Sequence, residues 1–190
     1  MNVLLHCCCG PCSTVTVGHF RALGDEVTGW FFNPNIHPLD EAQRRETAFA
    51  KAAVALGLPV LFAGAHLGLR TFLLALASRG AERCRACYQL RLGAAGREAA
   101  ARGFDAFSTT LLISPYQDIA LIGETGRAIA ARLGLRFLFA DLRERYAESR
   151  ERAQELNLYQ QSYCGCLFSS LERARRRGER ALHRLLRAAA

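Results

Sequence analysis

The chain has 190 residues, of which 51% are hydrophobic and 22% charged, and its formal net charge is +8. That length suits one domain, 1–190, around a single core, and that apolar content excludes a disordered or fibrous chain. No apolar run is long enough to cross a bilayer, and the first residues lack the basic region, apolar stretch and small-residue cleavage site of a secretory signal, so a cytoplasmic protein with no membrane partner is expected.

Strands are expected at Val3–His6, Val27–Asn33, Pro59–Phe62, Ala106–Thr110 and Phe137–Ala140. Each is a short, nearly continuous apolar run, as in strands buried on both faces. Helical patterns lie between them. Ser13–Leu23 stops at Gly24, Asp40–Leu56 at Gly57, Tyr88–Arg102 at Gly103, and Gln117–Leu133 at Gly134, each glycine placed as a C-terminal cap. This alternation predicts an α/β fold: a parallel sheet with helices on both faces. The last segment, 144–190, reads as a basic helical extension interrupted only by "SYCGC".

Ligands of such sheets bind beyond the carboxyl ends of the strands. The segments there read "CCCGPCS", "NPNIHP", "STTLLISPYQ" and "DLR". The chain's eight cysteines fall in three groups: Cys7, Cys8, Cys9 and Cys12; Cys84 and Cys87; Cys164 and Cys166. In a reducing compartment, clustered cysteines point to metal binding or catalysis rather than to staples. The first group leaves a strand and enters a helix, where a helix N-terminus favours thiolate, the metal-binding form. Two thiol pairs from separate segments make a four-thiolate site that suits zinc or an iron–sulfur cluster. A disulfide across Gly165 would be cramped and easily reduced, which fits a redox pair; two further metal ligands are the alternative.

Other residues carry weaker signals. Asp141 follows the fifth strand as a candidate general acid, or as a helix cap or Arg143 partner. Asn35 and His37 could touch a ligand or cap turns. His6 ends the first strand beside the cysteines and reads as a satisfied core histidine or as a support behind the cysteine ligands. Ser108, Thr109, Thr110, Ser114 and Tyr116 offer hydroxyls for phosphate, sugar or capping. All but one of the 25 basic residues are arginine, and seven of these (Arg173, Arg175, Arg176, Arg177, Arg180, Arg184 and Arg187) crowd the last helical run. Leu171, Leu182, Leu185 and Leu186 give that run an apolar face for docking. The clustering points to nucleic-acid phosphate.

From "LLHCCCGPCS" through "FFNPNIHP", "ERCRACYQLRL", "FSTTLLISPYQ" and "ADLRERY" to "LNLYQQSYCGCLFSS", the chain resembles the QueH type of epoxyqueuosine reductase. The resemblance implies a Rossmann-like fold related to the adenine nucleotide α-hydrolase-like (PP-loop) group. It implies reduction of epoxyqueuosine to queuosine at the wobble position of tRNA, with an external electron donor. It implies that Cys8, Cys9, Cys84 and Cys87 hold a [4Fe-4S] cluster and that Cys164 and Cys166 are the redox-active pair. Cys12 and Asp141 match positions near the metal centre, suited to an additional mononuclear iron or to proton handling. Cys7 has no place in this scheme. Three rivals stand beside it. A zinc-binding RNA-binding module leaves Cys164 and Cys166 unexplained. A tRNA thiolation enzyme would carry an ATP loop of the type SGGxDS where this chain has "CCCGPCS". A thiol–disulfide oxidoreductase leaves most of the cysteines without a role.

Overall fold

The computed structural model describes residues 1–63, 69–76 and 82–188; the side chains of Leu185 and Leu186, named above for the apolar face, lie outside the described residues. The strands are β1 (Asn2–Cys7), β2 (Glu26–Phe31), β3 (Val60–Phe62), β4 (Ala106–Thr109) and β5 (Arg136–Phe137). They form one sheet in the order β3-β2-β1-β4-β5, and every neighbouring pair is parallel. Helices α1 (Gly10–Ala22) and α2 (Leu39–Ala55) pack together, as do α4 (Arg83–Ala101) and α5 (Ile119–Leu133).

Side-chain alternation along β1 divides the core. Leu4 packs with Leu92, Ala95 and Ala99 of α4 and with Ile122 and Ile129 of α5. Leu5 and Cys7 point the other way, toward Val17 and Phe20 of α1 and Phe49 and Ala53 of α2. Both faces are therefore covered, which explains why the strands lack a polar face. Strand order reverses between β1 and β4, and the segment from Cys8 to Cys12 leaves β1 at that switch point, where sheets of this kind bind ligands.

The first turn of α1 has a steric requirement. A Cβ on Gly10 would lie 2.4 Å from the Ala48 carbonyl oxygen, so only glycine lets α1 approach α2 this closely. Pro11 follows within that turn, where the missing N–H costs nothing.

Several boundaries differ from the sequence expectation. Helix α4 begins at Arg83 rather than Tyr88, so Cys84 and Cys87 sit in its opening turns. Helix α3 (Leu69–Leu76) has no counterpart among the expected elements. β5 keeps only two ladder residues, although Leu138 N–H still reaches Phe107 O at 3.0 Å. As an edge strand it has one neighbour to define it. The extension holds α6 (Tyr146–Glu155), which packs on α1, and α7 (Leu167–Ala188). Leu171 and Leu182 of α7 are 59% and 58% exposed, so the expected docking face is open to solvent at both. Among the described residues no helix is long and apolar enough to cross a membrane.

Candidate thiol centre

Cys7 and Cys8 leave β1 on opposite sides. Cys7 is fully buried against α1 and α2, its thiol donates to Leu5 O at 3.2 Å, and burial pushes that thiol up to about 12. It behaves as a packed apolar residue, which accounts for the cysteine that the motif spacing left unplaced. Cys8, Cys9 and Cys12 form a buried triad whose sulfurs all lie within 4.8 Å of one another. Cys8 Sγ is 3.6 Å from Cys9 Sγ.

Charge in the triad concentrates on Cys8. Hydrogen bonds from the Cys12 and Cys9 thiols, with the nearby Arg91 cation and Thr110, hold Cys8 well below the usual thiol range. Cys9 is pushed up, chiefly by burial, and Cys12 by its hydrogen bond to Cys8. The three neighbours thus favour thiolate at Cys8, the form that binds a soft metal. Thr110 Oγ1 accepts the Cys8 N–H at 3.0 Å and donates to its sulfur at 3.3 Å. Gln161 Nε2 donates to Cys9 Sγ at 3.0 Å.

Arg91 joins this triad to the next group. It lies one turn beyond Cys87 on α4, is 1% exposed, and places its charge beside both Cys87 and Cys8. Its Nη2 donates to Asn33 Oδ1 at 2.7 Å, and Asn33 Nδ2 donates to Cys7 O at 2.8 Å.

Cys84, Cys87, Cys164 and Cys166 line one cavity together with Tyr88, Gln117 and Phe168. Burial pushes Cys87 up to about 12 and also raises Cys84. Gln117 Nε2 lies 3.5 Å from Cys164 Sγ, and its Oε1 accepts the Tyr88 hydroxyl at 2.9 Å. Cys166 immediately precedes α7; its sulfur accepts the Ser169 N–H at 3.4 Å. All eight cysteines are free thiols.

The remaining candidates are mostly spent on structure. Asp141 is exposed and grips Arg143 with both oxygens, at 2.8 and 2.6 Å, and that guanidinium holds its carboxyl below the usual range. His6 contacts Thr109 Oγ1 at 2.8 Å and Phe32 O at 3.1 Å, and burial lowers it to about 3, so it is neutral. Ser108 donates to Leu138 O, Thr109 caps the 3-10 turn Thr110–Ile113, and Ser114 accepts from Tyr116 N. Asn35 is fully buried with both amide atoms unpartnered, as is His37 Nε2.

The donors present fit a thiolate-bound metal group. Besides the sulfurs, Arg91 Nε and Gln161 Oε1 are buried beside them without a partner, and buried polar atoms of this kind ordinarily have one. Sequence reasoning missed Arg91, Asn33 and Gln161. Only Arg91 had a signal: four residues after Cys87 on a helix, it shares that cysteine's face.

Comparison with known proteins shows the family. A family model described as Epoxyqueuosine reductase QueH matches residues 3–172. A protein of that name from Dehalococcoides mccartyi is 36% identical over 172 residues, covering 90% of this chain and 94% of that one. Another, from Thermotoga maritima, is 35% identical over 186 residues, covering 94% and 95%. In fold, the chain is similar to a structure titled as a predicted subunit of tRNA methyltransferase from Methanocaldococcus jannaschii. The TM-score is 0.53 at 15% identity, over 82% of this chain and 76% of that one. The chain belongs to the epoxyqueuosine reductase QueH family.

Proposed function

We propose that this chain reduces epoxyqueuosine to queuosine in tRNA. The observation that carries the proposal is the pairing, in a chain of this family, of a buried sulfur triad with a cavity holding four further thiols.

Cys8, Cys9, Cys84 and Cys87 would hold the [4Fe-4S] cluster. Cys12 would be a donor for an additional mononuclear iron, and Asp141 would join it only by exchanging its Arg143 pairing for the metal. When bound, such a group supplies one-electron transfer and a Lewis acid for the epoxide oxygen. The chain's own residues do the rest. Reduction of the epoxide to an alkene takes two electrons and two protons and releases the oxygen as water. Cys164 and Cys166 yield that number of each on closing to a disulfide, and an external reductant returns the pair to thiols. Tyr88, kept protonated by burial, donates to Gln117 Oε1 and so turns the Gln117 amide N–H toward Cys164 Sγ. The exposed arginines of α7 supply a basic surface for tRNA phosphates.

The test uses protein purified without oxygen and loaded with iron and sulfide. It is incubated with epoxyqueuosine-containing tRNA and a low-potential reductant, and the digested nucleosides are weighed by mass spectrometry. The expected product is lighter by one oxygen. An unchanged nucleoside with iron-loaded protein overturns the proposal, and tight tRNA binding by a zinc-loaded, inactive protein would favour an RNA-binding module.

A further inference from the structure

Helix α2 carries an ion pair that the reduction leaves unexplained. Glu41 and Arg45 are one turn apart, 3% and 2% exposed. Arg45 Nε donates to Glu41 Oε1 at 2.8 Å, and Arg45 Nη2 is 2.7 Å from the same oxygen. The other Glu41 oxygen accepts the Tyr159 hydroxyl at 2.6 Å. Arg45 then reaches 119 residues along the chain: Nη1 donates to Cys164 O at 3.1 Å and Nη2 to Tyr163 O at 3.0 Å. Its guanidinium carbon lies 5.3 Å from the centroid of the Tyr163 ring.

These two carbonyls belong to the peptide planes on either side of the Cys164 Cα. The next residue is held as well, where His37 N–H donates to Gly165 O at 2.8 Å. Gly165 has φ of +120°, and a Cβ there would lie 3.0 Å from Ile36 Cγ1 and 3.1 Å from Arg45 Nη1. The backbone of the Cys164–Gly–Cys166 turn is therefore clamped by α2 and by the loop before it.

A buried ion pair is a weak source of stability, since well-packed apolar residues of similar volume often do as well. What apolar residues cannot do is donate, from one rigid planar fork, to two successive carbonyls. We propose that Arg45, held in place by Glu41, is a positioning residue for the Cys164/Cys166 pair. It fixes the peptides around Cys164 so that the sulfur stays at the Gln117 amide, in the cavity shared with Cys84 and Cys87, while the pair cycles between dithiol and disulfide. This role rests on the dithiol chemistry proposed above.

The experiment uses anaerobic, iron-loaded protein: wild type, Arg45→Lys, and the double variant Glu41→Leu/Arg45→Met, which removes the clamp without stranding a buried charge. Iron content, Tm, kcat and KM for tRNA are measured, and the dithiol–disulfide equilibrium is read in glutathione buffers by thiol alkylation. Both variants should keep their iron and stay folded. The equilibrium constant should move by about tenfold, the scale of one charge-assisted hydrogen bond, and kcat should fall with KM unchanged. Variants with the wild-type equilibrium and kcat overturn the positioning role, as does loss of iron or folding in both, which would assign the pair to general stability. If wild type itself forms no Cys164–Cys166 disulfide at any buffer ratio, the dithiol chemistry fails first, and that is read before any variant is compared.

Discussion

Cys8, Cys9 and Cys12 are at most 8% exposed and meet side chains from four other segments: Thr110 after β4, Arg91 of α4, Gln161 after α6 and, through Arg91, Asn33 after β2. Cys164 is exposed and Cys166 is half-buried, with few side-chain partners. Residue type is the same; access and donors differ. Buried thiols fenced by fixed donors suit permanent ligation, because solvent thiols cannot reach them. Exposed thiols on a clamped turn suit repeated exchange with an outside reductant, which needs that access.

Breaking each region should therefore fail in a different way. Serine at Cys8 or Cys9 should strip the cluster iron and abolish activity together, whereas serine at Cys164 or Cys166 should keep iron and stop multiple turnover. Iron counts beside turnover assays separate the two, and full turnover by Cys164→Ser would dissolve the contrast. Arg91→Met removes the cation beside Cys8 and Cys87 and leaves Asn33 Oδ1 without its donor; metal affinity should drop by about 10–100-fold, as for other outer supports of metal ligands, measured by competition with a chelator. Gly10→Ala sets a methyl against Ala48 O and should cost about 1–3 kcal/mol in stability, lowering Tm and iron content together because Cys12 moves with α1. Gly165→Ala should cost about 1–3 kcal/mol through backbone strain, and it should slow turnover with iron content unchanged. The smallest effect is on α7: changing Arg176, Arg180 and Arg184 to Gln should flatten the salt dependence of tRNA binding. The slope should fall by about 0.7–0.9 for each phosphate that is no longer neutralised.

Much of this was legible in the sequence. The apolar runs located the sheet, because strands buried on both faces leave little else to read, and β1 gained only Asn2 and Cys7 over Val3–His6. The cysteine groups pointed to a sulfur site. Which sulfurs meet was not legible: the nearness of Cys12 to Cys8 and Cys9 depends on how α1 starts, and that start depends on packing against Ala48. The helical start at Arg83 was hidden because "CRAC" has the spacing of a metal motif, which masks its place inside a helix. The apolar stripe of α7 announced a helix, but no periodicity says whether a surface receives it. Arg45 was invisible because its partners lie in a distant segment.

The proposed reduction turns on a redox metal held by Cys8 and Cys9 with Cys84 and Cys87. Protein purified without oxygen should be brown, with a broad band at roughly 400 nm that bleaches with dithionite and about four irons and four sulfides per chain, any iron beyond the sulfide marking the mononuclear site. A colourless protein carrying stoichiometric zinc would contradict the account.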